Sequence, residues 1–416
     1  MVFLGITIAA ATSTGSVNGK NIFRWDHVSD IHLMMDRRAF SELRNQTRTA
    51  GHGYAKEVFG PAPKSPYSWF RASLSLDGKK IGDVGVRKKG FLGSLSTNRP
   101  SLKINTGKFQ KGLRVDGINR LVLNNAIEGP SILRQCLAYE IFLEASYPAP
   151  RCGYAHVWVN GQDLGLYVLL EHVDKSMLAR FFNNPRGALF EGTGSDFRPR
   201  WLDTFEPKNN SSKEQVQSLA ELSKVMEFPD ERLIDSLGKV LDLDAFYTYW
   251  ALESLVGHED GYNASANNFF LYLDTGTNLF YFIPWGMDKV MAYADRVVAS
   301  SPLTVLTGSV ISYRLWKIPE SRRAYRRKLI QLLKRVWNTK RLVSRLRTMH
   351  HLVMGHLLVS QRTRLKYTYP NLVDFVKNRK RVFMRALRKN EPEPEPRLLK
   401  PPVWRTPGTP HKQGPR

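Results

Sequence analysis

The sequence is short of cysteine, of acidic residues and of long apolar runs. Its two cysteines, Cys136 and Cys152, show neither CxxC nor Cys/His metal spacing, which argues against a zinc module and against a disulfide framework. Cys136 falls on the apolar face of an expected helix, and both residues are expected as thiols. No stretch of about twenty consecutive apolar residues occurs, so a membrane-crossing helix is not expected. Acidic residues number 37 against 62 lysines and arginines, which leaves a net charge of +25. Such an imbalance attracts a polyanion to the basic surface, be it nucleic acid, an anionic surface, an acidic protein or a phosphate-rich small molecule, without choosing among them. No RNP motif, zinc finger or bZIP pattern accompanies the charge, which makes nucleic-acid binding the lesser reading.

What is present is ample material for a core. With 416 residues, 42% apolar and 11% aromatic, the chain can fill one elaborate domain or two modest ones. The opening MVFLGITIAAATSTGS, within residues 1–20, has a short apolar centre followed by small residues and no basic leader. It reads equally as a signal remnant, an incomplete gene start or a plain strand. Residues 391–416 are Pro-rich and polar, the composition of a disordered tail. The span 21–390 is expected to hold the folded part.

Within that span the patterning is α+β, with antiparallel hairpins in the N-terminal half and a mainly helical, basic C-terminal half. Ile31 to Asn45 passes from alternation to helical spacing at Phe40 and Leu43. Asp77-Gly78 and Asn160-Gly161 are hairpin turns between alternating runs. Leu121 to Asn125 reads as a buried strand, and Pro130-Ser131 opens a helix with Leu133, Cys136, Leu137 and Ile141 on its apolar face. Glu140, beside that face, is a candidate partner for Lys103, although an exposed helical glutamate is the more frequent case. Helices follow over about Lys213 to Met226, Asp230 to Leu241, and from Asp242 or Asp244 to a C-terminal cap at Gly257. Beyond Pro302, Leu329, Leu332, Leu333 and Trp337 form one apolar stripe, expected as core rather than ligand surface.

The stretch from His258 to Asp288, HEDGYNASANNFFLYLDTGTNLFYFIPWGMD, organises the rest. Strands at Phe269 to Leu273 and Leu279 to Ile283 flank a tight turn. Antiparallel pairing then sets the loop holding Asp260 and Asn268 beside the turn from Pro284 to Asp288. Spacing alone gives an ordinary hairpin with polar ends. The same carboxylates and amides also suit a hard cation and a hydroxyl to be deprotonated. Upstream, the strand ending at Arg87 delivers Lys88, Lys89 and the Gly90 to Ser94 loop, whose backbone N–H groups and cations can meet phosphates. That loop has neither Walker nor GxGxxG spacing, and basic Gly/Ser turns are commonly just solvated.

Taken in order, VGVRKKGFLGS with SLKI, LVLNNAIEGPSILRQCLAYEIF, PAPRCGYAHVWVNGQDLGLYVLLEHVD, the His258 to Asp288 stretch and IPESRRAYRRKLIQLL resemble the spore-coat protein H (CotH) family of atypical kinases. The resemblance covers most of Asp30 to about His350. It implies a diverged protein-kinase-like fold that binds ATP with Mg²⁺ or Mn²⁺ and phosphorylates serine or threonine of a protein substrate, in a secreted or spore- or cell-surface setting. Carried over residue by residue, Asp260 is the catalytic base and Asn268 a metal or phosphate contact, while Asp288, two residues past the position of the family's metal-binding acid, stands in as metal ligand. Arg87 and the Gly90 to Ser94 loop lie over the phosphates, Lys103 pairs with them, and Glu171 stands where the nucleotide base is read. One departure stands out: the family pattern Pro-Trp-Asp-x-Asp has Gly286 at its first acid here. Loss of a metal-bridging carboxylate removes charge neutralisation on which transfer depends. The alternative is therefore an ATP-binding pseudokinase or a spore-coat or surface structural protein.

Overall fold

The structure, a computed structural model, describes residues 22–47, 65–90, 95–127, 129, 131–199, 201–209, 213–292, 304–388 and 395–398. The architecture is mixed α+β. Seven strands build the first layer: β1 (Val28–Met34), β2 (Phe70–Leu76), β3 (Lys79–Lys89), β4 (Ser101–Asn105), β5 (Arg120–Asn124), β6 (Cys152–Val159) and β7 (Gln162–Glu171). They close into a barrel in the order β1-β2-β3-β4-β5-β7-β6. Both hairpins stand where their turns placed them, with Asp77, Gly78, Asn160 and Gly161 all at positive φ. The closure was not legible: β1 pairs with β6 in parallel, Ile31 beside Val157, and a parallel partner 120 or so residues away leaves no local signal. Alternation explains the filling. Ile31, Leu33, Val86, Ile104, Leu121, Leu123, Val157 and Leu169 point into the barrel, while Val122, Tyr154, Val168 and Leu170 point outward into a larger second core.

That second core holds a four-stranded sheet and all the helices but the first, whose Phe40 and Leu43 belong to the barrel core. Its strands are β8 (Leu189–Gly192), β9 (Phe205–Pro207), β10 (Phe269–Asp274) and β11 (Leu279–Pro284), in the order β11-β10-β8-β9. The expected hairpin is β10 with β11, registered Phe269 opposite Pro284. The helices are α1 (Arg37–Asn45), α2 (Arg134–Glu144), α3 (Lys175–Leu178), α4 (Lys213–Val225), α5 (Asp230–Leu237), α6 (Leu243–Val256), α7 (Tyr262–Ser265), α8 (Val310–Lys317), α9 (Pro319–Arg335), α10 (Thr339–Met354) and α11 (Val359–Arg388). Asp242 caps α6 by accepting from the Ala245 N–H at 2.9 Å, a contact that contributes about 1 kcal/mol. The basic helices bury Leu329, Leu332, Leu333 and Trp337, as the stripe required. No helix of the described residues is long and apolar enough to cross a membrane.

One expectation fails, and one candidate pairing is not made. Cys136 and Cys152 are not free thiols but a disulfide, with Cα atoms 5.1 Å apart. The first residue of β6 lies over the apolar face of α2, a tertiary adjacency that sequence spacing does not encode. Glu140 does not reach Lys103; it accepts from Arg345 of α10 at 2.6 Å, because α2 turns that face toward the C-terminal helices. Within the Pro-rich segment, residues 395–398 lie against the body of the protein: the Arg397 N–H donates to Thr307 Oγ1 at 3.0 Å and Leu398 packs on the core. Residues 1–21 lie outside the described residues.

Candidate functional site

One wall of the site begins where α6 stops. Gly257 takes the left-handed conformation at φ 66°, the glycine cap that ends a helix without a Cβ penalty. The chain then folds back over Glu253, a fully buried carboxylate in a mainly apolar helix. Glu253 accepts from Tyr249 Oη at 2.8 Å, His258 Nδ1 at 3.0 Å, the Tyr262 and Asn263 N–H groups at 3.2 and 2.9 Å, and Asn263 Nδ2 at 2.7 Å. Gly261 has to be small, since a Cβ there would stand 2.2 Å from Glu253 Oε1. A buried charge so fully hydrogen-bonded fixes the loop around it.

Asp260 sits half-buried on the rim of this loop. Its Oδ1 accepts from Asn267 Nδ2 at 3.0 Å and its Oδ2 from Asn268 Nδ2 at 2.8 Å. Asn268 is left-handed at φ 49°, a region asparagine tolerates better than most residues. The Trp285 N–H donates to the Asn268 carbonyl at 3.2 Å. The loop and the Pro284 to Asp288 turn therefore meet, as the hairpin required. Gly286 is also left-handed, at φ 57°, and a Cβ on it would lie 2.5 Å from Asn268 Cγ and 2.6 Å from Oδ1. Asp288, two residues on, is half-buried and its backbone packs on Gly129, where a Cβ would stand 2.6 Å from the Asp288 carbonyl. Burial, and then the Asp288 charge, push the Tyr139 phenol of α2 above its ordinary range.

The opposite wall is basic. Arg87 of β3 pairs directly with Lys103 of β4, so both project from the outer face of the barrel. The Arg87 guanidinium lies over the Trp69 ring at 4.8 Å, and its Nε is buried without a hydrogen-bond partner among the described residues. Burial lowers its pKa. Lys103 Nζ stands 3.5 Å from His172 Nε2. Burial brings Lys103 down to about 7 against the attraction of Glu191, with Lys208, Arg87 and Lys89 adding repulsion. His172 is held neutral, well below the ordinary imidazole range, by burial and by the Lys103 and Arg120 charges. Its ring lies 6.4 Å from that of Trp285, which links the two walls through Lys103, His172, Trp285, Asn268 and Asp260. Glu191 is ion-paired with Lys208, which also reaches Glu206 at 2.7 Å. Burial raises Glu191, but Lys208 and Lys103 outweigh it and hold the carboxylate below its ordinary value.

Glu171 is placed at the end of β7 with its carboxylate fully engaged. It accepts from the Arg151 N–H at 3.0 Å, from Arg151 Nη2 at 2.8 Å and from Arg180 Nη2 at 2.6 Å. A carboxylate so occupied leaves only main-chain groups of this segment for a ligand. Gly90 follows β3 at φ 117° and its carbonyl accepts from Tyr67 Oη at 2.7 Å. Ser94 lies outside the described residues. Sequence reasoning missed Glu253, His172, Glu191 and Lys208. Only Glu253 carried a usable signal, an acid inside an apolar helix one turn before its glycine cap. Chemically, the site sets a hydrogen-bonded carboxylate and amides against clustered cations. That is a pairing suited to an anionic, phosphate-bearing ligand with a hydroxyl beside Asp260.

The fold and this site belong to a chain of the CotH kinase protein family, whose family model matches residues 86–383. Among curated relatives, the chain is similar to Inner spore coat protein H of Bacillus subtilis, 22% identical over 258 residues, or 58% of this chain and 70% of that protein. It is also similar to Spore coat protein homolog 1 of Rhizopus delemar, 22% identical over 262 residues, 60% of this chain and 40% of that one. A third relative, Invasin CotH2 of Rhizopus delemar, is 27% identical over 187 residues, 41% of this chain and 32% of that protein. The chain thus spans less than half the length of these two fungal relatives. Among solved structures, the toxin–antitoxin complex of HipA, HipB and operator DNA from Shewanella oneidensis MR-1 overlaps 87% of this chain and 74% of that chain. The identity is 10% and the TM-score 0.36, an overlap that carries nothing about fold.

Proposed function

We propose that the protein binds ATP between these walls and transfers its γ-phosphate to serine or threonine of a protein substrate, on a diverged protein-kinase-like fold. The observation that carries this reading is Asp260, held by two amides on a rigid loop that faces, through Trp285 and His172, the Arg87 and Lys103 pair. Arg87 and Lys103 orient the phosphates, and Asp260 takes the proton of the acceptor hydroxyl as its oxygen bonds to the γ-phosphorus and ADP leaves. A hard cation such as Mg²⁺ or Mn²⁺ would be held by carboxylate and amide oxygens of Asp260 and Asn268, with Asp288 as the further acid of the adjoining turn. Such a cation supplies neutralisation of phosphate charge. The test is phosphate transfer from labelled ATP to a serine-rich coat-type protein. Asp260→Ala is expected to abolish transfer while ATP still binds; transfer persisting in that variant removes Asp260 from the chemistry.

A second reading has its own observation. Gly286 carries no carboxylate, and its backbone leaves no room for one, which favours an ATP-binding pseudokinase or surface structural protein. Mg²⁺-dependent ATP binding with no transfer to any serine-rich substrate selects this reading over the first. The basic surface remains a candidate for polyanion binding, which a steep salt dependence of heparin or DNA affinity would reveal.

A further inference from the structure

Away from the proposed site, two histidines and an aspartate converge where the barrel meets the C-terminal helices. Asp30 of β1 and His156 of β6 are directly paired in the parallel ladder that closes the barrel, so both side chains leave its outer face. His356 arrives from the turn between α10 and α11. One ligand atom from each of Asp30, His156 and His356 lies within 4.8 Å of the other two. We propose that these three residues form a Zn²⁺ site that clasps the barrel to the helical half.

Three features separate this cluster from a chance meeting of polar side chains. The His156 ring stacks on Trp158 at 3.9 Å, and Trp158 in turn stacks on His32 at 4.5 Å, which fixes the imidazole plane. The ladder between β6 and β7 is irregular between His156 and Trp158, the kind of bulge that re-aims a side chain at a strand surface. Asp163 Oδ1 lies 2.7 Å from His156 Nε2. A carboxylate only accepts, so the pair favours the tautomer with Nε2–H and leaves the Nδ1 lone pair. Carboxylates partnering metal-binding histidines in this way raise ligand basicity. The third ligand is also held in place. Gln361 Nε2 donates to the Leu166 carbonyl at 2.8 Å, and a Cβ on Gly165 would stand 2.5 Å from Leu358 Cγ, so the α10–α11 turn is seated on β7.

Two imidazoles and one carboxylate suit Zn²⁺, a borderline cation, better than Mg²⁺ or Ca²⁺, which take oxygen ligands. Tetrahedral zinc with bonds of about 2 Å sets its ligand atoms about 3.3 Å apart, a spacing these half-buried side chains reach by small rotations. Three protein ligands leave a fourth position to water. The cysteines do not compete, being joined to each other.

The test is equilibrium dialysis of the tag-free full chain against micromolar Zn²⁺, with Mg²⁺ in excess to occupy any all-oxygen site. The wild type is expected to retain zinc at one ion per chain and to melt at a higher temperature with zinc than with chelator. His156→Ala and His356→Ala are each expected to lose both effects. Asp163→Asn should weaken zinc binding about tenfold. His356→Cys, which restores a zinc ligand, should keep the ion, and so should Asp260→Asn. Unchanged zinc retention in His156→Ala and His356→Ala, or no retention by the wild type, overturns the proposal. Equal melting temperatures in chelator show that the variants are folded.

Discussion

Gly286 and Asn268 face each other across the mouth of the β10–β11 hairpin, both left-handed, with no space between them for a side chain on the glycine. The backbone here leaves no room for the acid that the family pattern carries at this position. Gly286→Asp is expected to impose a left-handed aspartate, at about 1–2 kcal/mol, and to push the Asn268 amide off Asp260. Urea denaturation should show a loss of about 1–3 kcal/mol, and phosphate transfer should not increase. A Gly286→Asp protein of wild-type stability and raised activity would contradict this.

Lys103 predicts a pH dependence of anion binding. Its pKa of about 7 lies below the ordinary 10.5, so the free protein carries a charged Lys103 below about pH 7 and a neutral one above it. A bound triphosphate favours the ammonium and raises the pKa again. ATP affinity is therefore expected to fall from about pH 7 to 9, with proton uptake on binding. Calorimetry in two buffers of different ionisation enthalpy measures that uptake, and Lys103→Met should abolish it. The same shift has a sign for folding: the unfolded chain binds the extra proton between about pH 7 and 10.5, so this residue's contribution to stability rises with pH over that window.

Glu253 holds the Asp260 loop from beneath. Glu253→Gln keeps the shape but turns one acceptor into a donor, aimed at donors from Asn263, Tyr262 or His258. The expected loss is about 2–4 kcal/mol, together with weaker ATP binding although the residue is fully buried. Equal denaturation midpoints for variant and wild type would rule out the anchoring role.

The Cys136–Cys152 bond closes a 16-residue separation, for which chain-entropy arguments give about 3 kcal/mol. Reductant, or the Cys136→Ser/Cys152→Ser pair, should lower the denaturation midpoint accordingly. Wild-type protein insensitive to reductant would show that the bond contributes nothing.

Much of the fold was legible where local chemistry decides it. Asp77-Gly78, Asn160-Gly161, the Asp242 and Gly257 caps and the β10–β11 alternation each act over a few residues, and each stands where its pattern put it. The Asp260–Asn268 neighbourhood was legible for the same reason, since a hairpin converts sequence symmetry into contact. What was hidden depends on partners far along the chain: β1 beside β6, Cys136 beside Cys152, Glu140 beside Arg345, and the placement of His172 between Lys103 and Trp285. No periodicity records such meetings.

The parallel pairing of β1 with β6 bears on how the molecule can be dissected. The segment that defines the family starts at residue 86, inside β3, so a fragment trimmed to it would lack β1, β2 and most of a third stave. Two raw strand flanks would then open to solvent with unpaired amides and carbonyls, ready to recruit strands from neighbouring molecules. Insolubility of such a fragment would report on a missing N-terminal clasp rather than on any defect in the chemistry downstream.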